Sequence, residues 1–325
     1  MFYCADNPLI RYTGRWAPFK EGMATTAPGA FLELSFTGRL ATLHFDVETL
    51  TLPFPHLWLE LDGGALIEVP IDRYLKISAK EDGPHRLRIV YKSARETASR
   101  WKHPLQGYVL FLGFDANEAL ALPKDPRKRI EFVGDSITEG VLIDPHYAPN
   151  RENDQYNRPY QDDALGTYGA LLAKKLDLVP INVGYGAVGV TKGGCGGVPS
   201  APALYNFCFE DAPYNAPPAD FVLINHGTND RHQSPELFTK CYKELLDLVF
   251  LRNEKAKVIV LVPFCGAFQK ELKALVPDYC KETGKEILLI DTEGWLPPDP
   301  LHPLREGHAL AAEKIEAIFR EHFSF

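Results

Sequence analysis

No stretch of this sequence approaches the roughly 20 consecutive apolar residues that a bilayer-spanning helix needs. The N-terminal run Met1-Phe2-Tyr3-Cys4-Ala5-Asp6 also lacks the basic and apolar regions of a secretory signal. The expectation is a cytoplasmic protein with no membrane partner. Positive charge is short as well: 35 Lys and Arg against 43 Asp and Glu leave a net charge of −8, which disfavours the positive field needed on nucleic acid or anionic lipid. Cysteine is sparse and scattered. Its positions, Cys4, Cys195, Cys208, Cys241, Cys265 and Cys280, contain no C-x-x-C pair, so neither a zinc knuckle nor a redox dithiol is indicated. What is present, 45% hydrophobic and 24% charged residues in a chain of 325, is globular composition long enough for two domains.

Two different periodicities divide the chain. Up to about residue 115, apolar residues alternate with polar ones. Examples are Leu32, Leu34 and Phe36; Leu43, Phe45 and Val47; Leu57, Leu59 and Leu61; and Leu87, Ile89 and Tyr91, with Asp62-Gly63-Gly64 as a turn. Period two in short runs separated by glycine and proline predicts an all-β antiparallel sandwich. After Pro123-Lys124-Asp125-Pro126 the pattern changes to apolar runs at Ile130 to Val133, Val179 to Val183, Phe221 to Ile224, Val258 to Val262 and Ile287 to Ile290. Amphipathic helices are expected at Tyr168 to Leu176, Pro235 to Leu251, Ala267 to Lys281 and Glu306 to Phe323, with Ser234 capping the second. Strands apolar on both faces and separated by helices predict a parallel sheet in a three-layer α/β/α domain. The expected boundaries are 1–120 for the sandwich and 121–325 for the α/β domain.

Two strand ends and the last loop carry chemistry. Ile130 to Val133 runs into Gly134-Asp135-Ser136, which puts a hydroxyl at a carboxyl strand end beside backbone N–H groups able to hold an oxyanion. Phe221 to Ile224 leads to Gly227-Thr228-Asn229-Asp230, where the Asn229 amide can donate to the same negative oxygen. Near the end of the chain, Asp299-Pro300-Leu301-His302-Pro303 places a carboxylate within reach of an imidazole that can act as base. Taken singly, these read as a helix N-cap, an Asx turn and loop polarity. Together, in this order, they read as Ser136 nucleophile, His302 base, Asp299 orienter and Asn229 oxyanion donor.

With these motifs the chain resembles the SGNH or GDSL hydrolase superfamily from residue 130 onward. Its blocks are Gly134-Asp135-Ser136, the glycine-rich turn after Asn182, Gly227-Thr228-Asn229-Asp230, and Asp299-Pro300-Leu301-His302-Pro303. The second block departs from the family pattern, because the position five after Asn182 is Ala187 instead of glycine. The backbone oxyanion donor is therefore Gly186 or Ala187. The whole chain is similar to carbohydrate esterase family 2. That resemblance implies a flavodoxin-like catalytic domain behind a jelly-roll-like sandwich, a Ser-His-Asp mechanism with an acyl-enzyme intermediate, and removal of O-acetyl groups from oligosaccharides derived from plant polysaccharides. Acyl transfer to a small-molecule alcohol, or carbohydrate binding by an inactive hydrolase fold, are the alternatives.

Other signals are weaker. Gly184-Tyr185-Gly186-Ala187-Val188-Gly189 is a literal G-x-G-x-x-G, but the breakers that follow cannot open the helix a dinucleotide fold requires. His226, Asp230 and His232 fit no zinc spacing, so no metal and no cofactor is expected. His308 and Cys195 are read as structural. Trp295, Trp101 and Tyr185 are candidate stacking surfaces for a sugar, with core packing as the competing reading.

Overall fold

A computed structural model describes residues 1–146 and 154–324. The N-terminal region consists of two antiparallel sheets of six strands each. One runs in the order Glu118–Leu120, Phe31–Thr37, Pro84–Ser93, His56–Leu61, Ile67–Pro70. The other runs Ala17–Phe19, Gly22–Thr25, Val109–Asp115, Leu40–Asp46, Tyr74–Ser78. The alternation seen in the sequence supplies the core between them: Leu32, Leu34 and Phe36 from one sheet and Leu43, Phe45 and Phe111 from the other join a single buried cluster. Burying each such side chain contributes on the order of 2 kcal/mol.

The strand Phe31–Thr37 departs from the half-buried expectation. Its second face is covered too, because Phe31 and Val90 pack on Val179 of the α/β region. Glu33, on that face, is buried against Arg11 and Arg86. Period two marked the inner face correctly but carried no sign that the outer face meets another part of the chain.

The α/β region has five parallel strands: β1 (Arg129–Gly134), β2 (Val179–Gly184), β3 (Phe221–Asn225), β4 (Lys257–Leu261) and β5 (Ile287–Ile290), in the order β2-β1-β3-β4-β5. One face, with Ile130, Phe132, Leu223 and Ile259, packs on helices Tyr168–Lys175 and Arg305–His322 through Tyr168, Leu172, Ala311, Ile315 and Phe319. The other face, with Val222, Ile224, Val258 and Val260, packs on helices Pro235–Arg252 and Gln269–Thr283. Ser234 caps the first of these, accepting from the Leu237 N–H, with Pro235 at N1. The order reverses at β1, so the chain leaves β1 and β3 in opposite directions and opens a crevice at their carboxyl ends. That crevice is where the three motif loops emerge.

Among the described residues, no helix is long and apolar enough to cross a membrane. The long loop between Asp144 and Asp163 lies partly outside the described residues, at 147–153.

Candidate active site

Ser136 is the first residue of a one-turn helix, Ser136–Glu139, that starts directly after β1. Asp135 is its N-cap and accepts from the Ile137 N–H at 2.9 Å, which fixes the turn and aims the following side chain into the crevice. Burial raises the Asp135 carboxyl to about 7. Ser136 Oγ lies 2.8 Å from Nε2 of His302. His302 arrives from the loop that precedes helix Arg305–His322. That loop is tied down by Arg305, which reaches Asp144 at 2.8 Å and Asp163 at 2.8 Å. Burial lowers the His302 pKa; Glu96 raises it and Arg158 lowers it further.

The backbone around β2 completes the site. Asn182 donates to the Thr138 carbonyl at 3.1 Å and so ties the second block to the first. Asp230 accepts from the N–H groups of Val190 at 3.1 Å and Thr191 at 2.9 Å. Asn229 donates to the Val188 carbonyl at 3.0 Å, and among the described residues the second N–H of its amide has no partner. The third block is thus stapled to the second by side chains of Asn229 and Asp230.

Of the two backbone donors the sequence leaves open, the structure commits one elsewhere. The Gly186 N–H donates to the Glu139 carboxylate. Ala187, in the left-handed region at φ 59°, takes no hydrogen bond on its N–H among the described residues, and neither does the N–H of Ser136. Among the described residues the N–H groups of Ser136 and Ala187 are thus left without a partner, the kind of donor an oxyanion requires.

Other expected residues fall elsewhere. Asp299 is exposed, and among the described residues it makes no hydrogen bond or ion pair with His302. Trp101 is 8% exposed and sits edge-on to Phe207 in the core. Tyr185 is 1% exposed, with its hydroxyl 3.3 Å from Thr26 Oγ1. Neither ring offers a face to a sugar. Trp295 is half-buried, with the Lys314 ammonium 5.5 Å from its ring centre. His308 is buried and accepts from the Tyr168 N–H at 3.0 Å; burial pushes its pKa down to about 3, so it is a neutral structural residue. His226 is buried, with its pKa pushed down to about 4 by burial, while His232 is exposed. The Cys195 thiol is pushed up to about 11 by burial and the neighbouring Glu96, so it is a poor nucleophile.

Three charged residues escaped the sequence reading: Glu139, Arg100 and Glu96. Glu139 stands inside the first motif and is 3% exposed, paired with Arg100 of the sandwich, which is wholly buried. A glutamate within a buried block was a signal that a cation must exist, but nothing local names Arg100.

A serine hydrogen-bonded to a histidine stands at the switch point of a parallel sheet in the order β2-β1-β3-β4-β5. The model of the GDSL-like lipase/acylhydrolase family matches residues 132–310, and the chain belongs to that family. The chain is 29% identical over 269 residues to the cellulase/esterase CelE of Acetivibrio thermocellus; the match takes in 75% of this chain but spans only 30% of that protein. It is 26% identical over 298 residues to the acetylxylan esterase/glucomannan deacetylase of Cellvibrio japonicus, with 80% of this chain and 77% of that one covered. In fold it is similar to a family two carbohydrate esterase from Clostridium thermocellum, solved in complex with cellohexaose, at TM-score 0.75 and 22% identity over 96% of this chain and 98% of that one.

The His302 environment fixes the direction of a pH effect. The ring must be neutral to accept the serine proton, and burial places its pKa below the ordinary 6.5. The acid limb of kcat/KM for a small acetyl ester is therefore expected below pH 6.5. Asp299→Asn should leave the limb in place and lower turnover by less than about tenfold, against about 10⁴ for an aspartate that orients a catalytic histidine. A pH–rate series on both proteins checks this. A 10³-fold loss would return Asp299 to the mechanism.

Proposed function

We propose that this protein is a serine esterase that removes O-acetyl groups from carbohydrate, with oligosaccharides derived from plant polysaccharides as substrate. The observation that carries the reading is the 2.8 Å contact between Ser136 Oγ and His302 Nε2. In the proposed sequence, His302 takes the serine proton as Oγ attacks the acetyl carbonyl. The tetrahedral oxygen is held by the N–H groups of Ser136 and Ala187 and by the Asn229 amide. His302 then returns the proton to the departing sugar hydroxyl. Water repeats the cycle on the acetyl-serine and releases acetate.

The carbohydrate assignment is supported by the two relatives named above and by a cavity of about 570 Å³ at the seam between sandwich and α/β region. Its walls include Trp58 and Tyr160, whose aromatic rings suit a sugar face, and Leu304 and Arg305, which follow His302 in the chain. We read residues 1–120, as a jelly-roll-like sandwich, and residues 121–325, as the catalytic domain, as one functional unit.

Acetate release from acetylated xylo-, manno- and cello-oligosaccharides tests the reading. At least one should be deacetylated, and acetyl aryl esters should be cleaved faster than butyryl ones. Preference for butyryl or longer chains overturns the acetyl-carbohydrate assignment. Product that grows on an added alcohol acceptor at the expense of acetate assigns the same acyl-enzyme to transfer.

A further inference from the structure

We propose that the sandwich is a working part of this catalytic site: Arg100, acting through Glu139, fixes the Gly186–Ala187 peptide so that the Ala187 N–H faces the oxyanion. The proposal rests on the esterase reading above. Arg100 lies in the sandwich segment between strands Pro84–Ser93 and Val109–Asp115. Its guanidinium bonds both oxygens of Glu139, one of them at 3.4 Å, and stands 5.5 Å from the centre of the Tyr185 ring. The same Glu139 carboxylate receives the Gly186 N–H. Glu139 closes the helical turn that Ser136 opens. One carboxylate thus spaces the nucleophile from the residue next to the backbone donor.

The remaining contacts fix the orientation of that peptide. The Gly186 carbonyl accepts from the Cys195 N–H at 2.9 Å. In a planar trans peptide the carbonyl and the following N–H point in opposite directions, so the Ala187 N–H is turned away from the Cys195 loop. That loop is itself held by the sandwich, since the Arg100 N–H donates to the Gly196 carbonyl at 2.9 Å. Gly196, at φ +65°, lies so close to the sandwich that a Cβ there would stand 2.3 Å from the Ala98 carbonyl oxygen. Glu96 closes the other side: a Cβ on Gly186 would stand 2.1 Å from its Oε1. Arg100 and Glu139 touch no reacting atom; they are positioning residues.

The test is made on the full chain with Arg100→Lys, Arg100→Met and the double variant Arg100→Met/Glu139→Gln, which leaves no uncompensated buried charge. Expected is a fall in kcat of about 10² to 10³ for an acetyl aryl ester in both Met variants, the loss typical of one oxyanion donor, with KM changed less than about threefold. Arg100→Lys should recover part of the loss. A boronic acid, whose tetrahedral adduct on Ser136 mimics the intermediate, should bind more weakly by a similar factor. Hydrogen exchange followed by mass spectrometry should show faster exchange across residues 184–190 in the Met variants and unchanged exchange in β3 and β4. Wild-type kcat together with wild-type exchange in the folded double variant overturns the proposal. The Ser136→Ala protein, run alongside, separates the two failures: hydrolysis that does not depend on Ser136 sinks the esterase reading, and the exchange comparison still decides whether Arg100 holds the loop.

Discussion

Ser136→Ala is expected to lower kcat/KM on an acetyl ester by about 10⁵-fold or more, with the protein folded and as stable as the wild type within about 0.5 kcal/mol. The size of the effect follows from the chemistry. Without the hydroxyl no acyl-enzyme forms, and His302 has no proton to take. The N–H groups of Ser136 and Ala187 and the Asn229 amide remain, so a residual rate of about 10³ over water is expected from polarisation of the carbonyl alone. The stability forecast follows from the local contacts: Ser136 is 5% exposed, its Oγ bonds His302 alone among the described residues, and the turn is held by Asp135. Initial rates on an aryl acetate and a urea titration check both parts. Activity within tenfold of wild type would falsify the hydroxyl mechanism, whatever the fold.

How far the sequence reaches is clear from individual residues. Helices expected at Tyr168 to Leu176 and Pro235 to Leu251 occur at Tyr168–Lys175 and Pro235–Arg252, and all five apolar runs became strands of one sheet. These are local properties: periodicity, a serine cap, a proline at N1. The motifs of Ser136 and Asn229 follow strands of the parallel sheet, whose ends converge on one edge, and the structure brings Ser136 to His302 of the last loop. The failures concern what lies opposite. Trp101 and Tyr185 present large rings in glycine-rich and polar surroundings, yet both are buried where the sandwich meets the α/β region. Asp299 has the spacing to reach His302, and among the described residues no hydrogen bond joins the two. Arg100 and Glu139 pair across 39 positions of chain, and an arginine in a polar loop reads as a solvated charge until the element packed on it is known. Periodicity identifies which face is buried; it does not name the partner.

The second large effect belongs to the seam between the two regions. Lys92 is the penultimate residue of the strand Pro84–Ser93 and is 1% exposed, an unusual place for an ammonium. It is satisfied by the α/β region, donating to the carbonyls of Tyr160 at 3.1 Å and Asp162 at 2.8 Å and to that of Pro159, and it pairs with Glu68 at 3.0 Å. Those carbonyls close the helix Asp154–Gln161, whose last turn has no intrahelical donors left for them. The cation therefore sits at the negative end of a helix dipole and replaces the water that burial removes. Lys92→Met keeps the aliphatic stem but takes the ammonium donor from these carbonyls, of which that of Pro159 keeps Ser93 Oγ at 2.7 Å, and leaves Glu68 paired with His56. Breaking a buried pair in this way destabilises by about 3 to 5 kcal/mol, and for a chain of this size Tm should fall by about 5 to 10 °C. Adding Glu68→Gln should recover a kcal/mol or so, because the uncompensated carboxylate is then gone and the two sites are coupled. Urea titrations of both variants measure the difference. A single-variant loss under 1 kcal/mol would mean that water reaches the seam and that the ammonium is not what holds the sandwich to the loop ending at Asp163. That loop matters to the candidate site because Asp163 binds Arg305, three residues beyond His302, so on the proposed function weakening the seam should lower esterase turnover as well as stability.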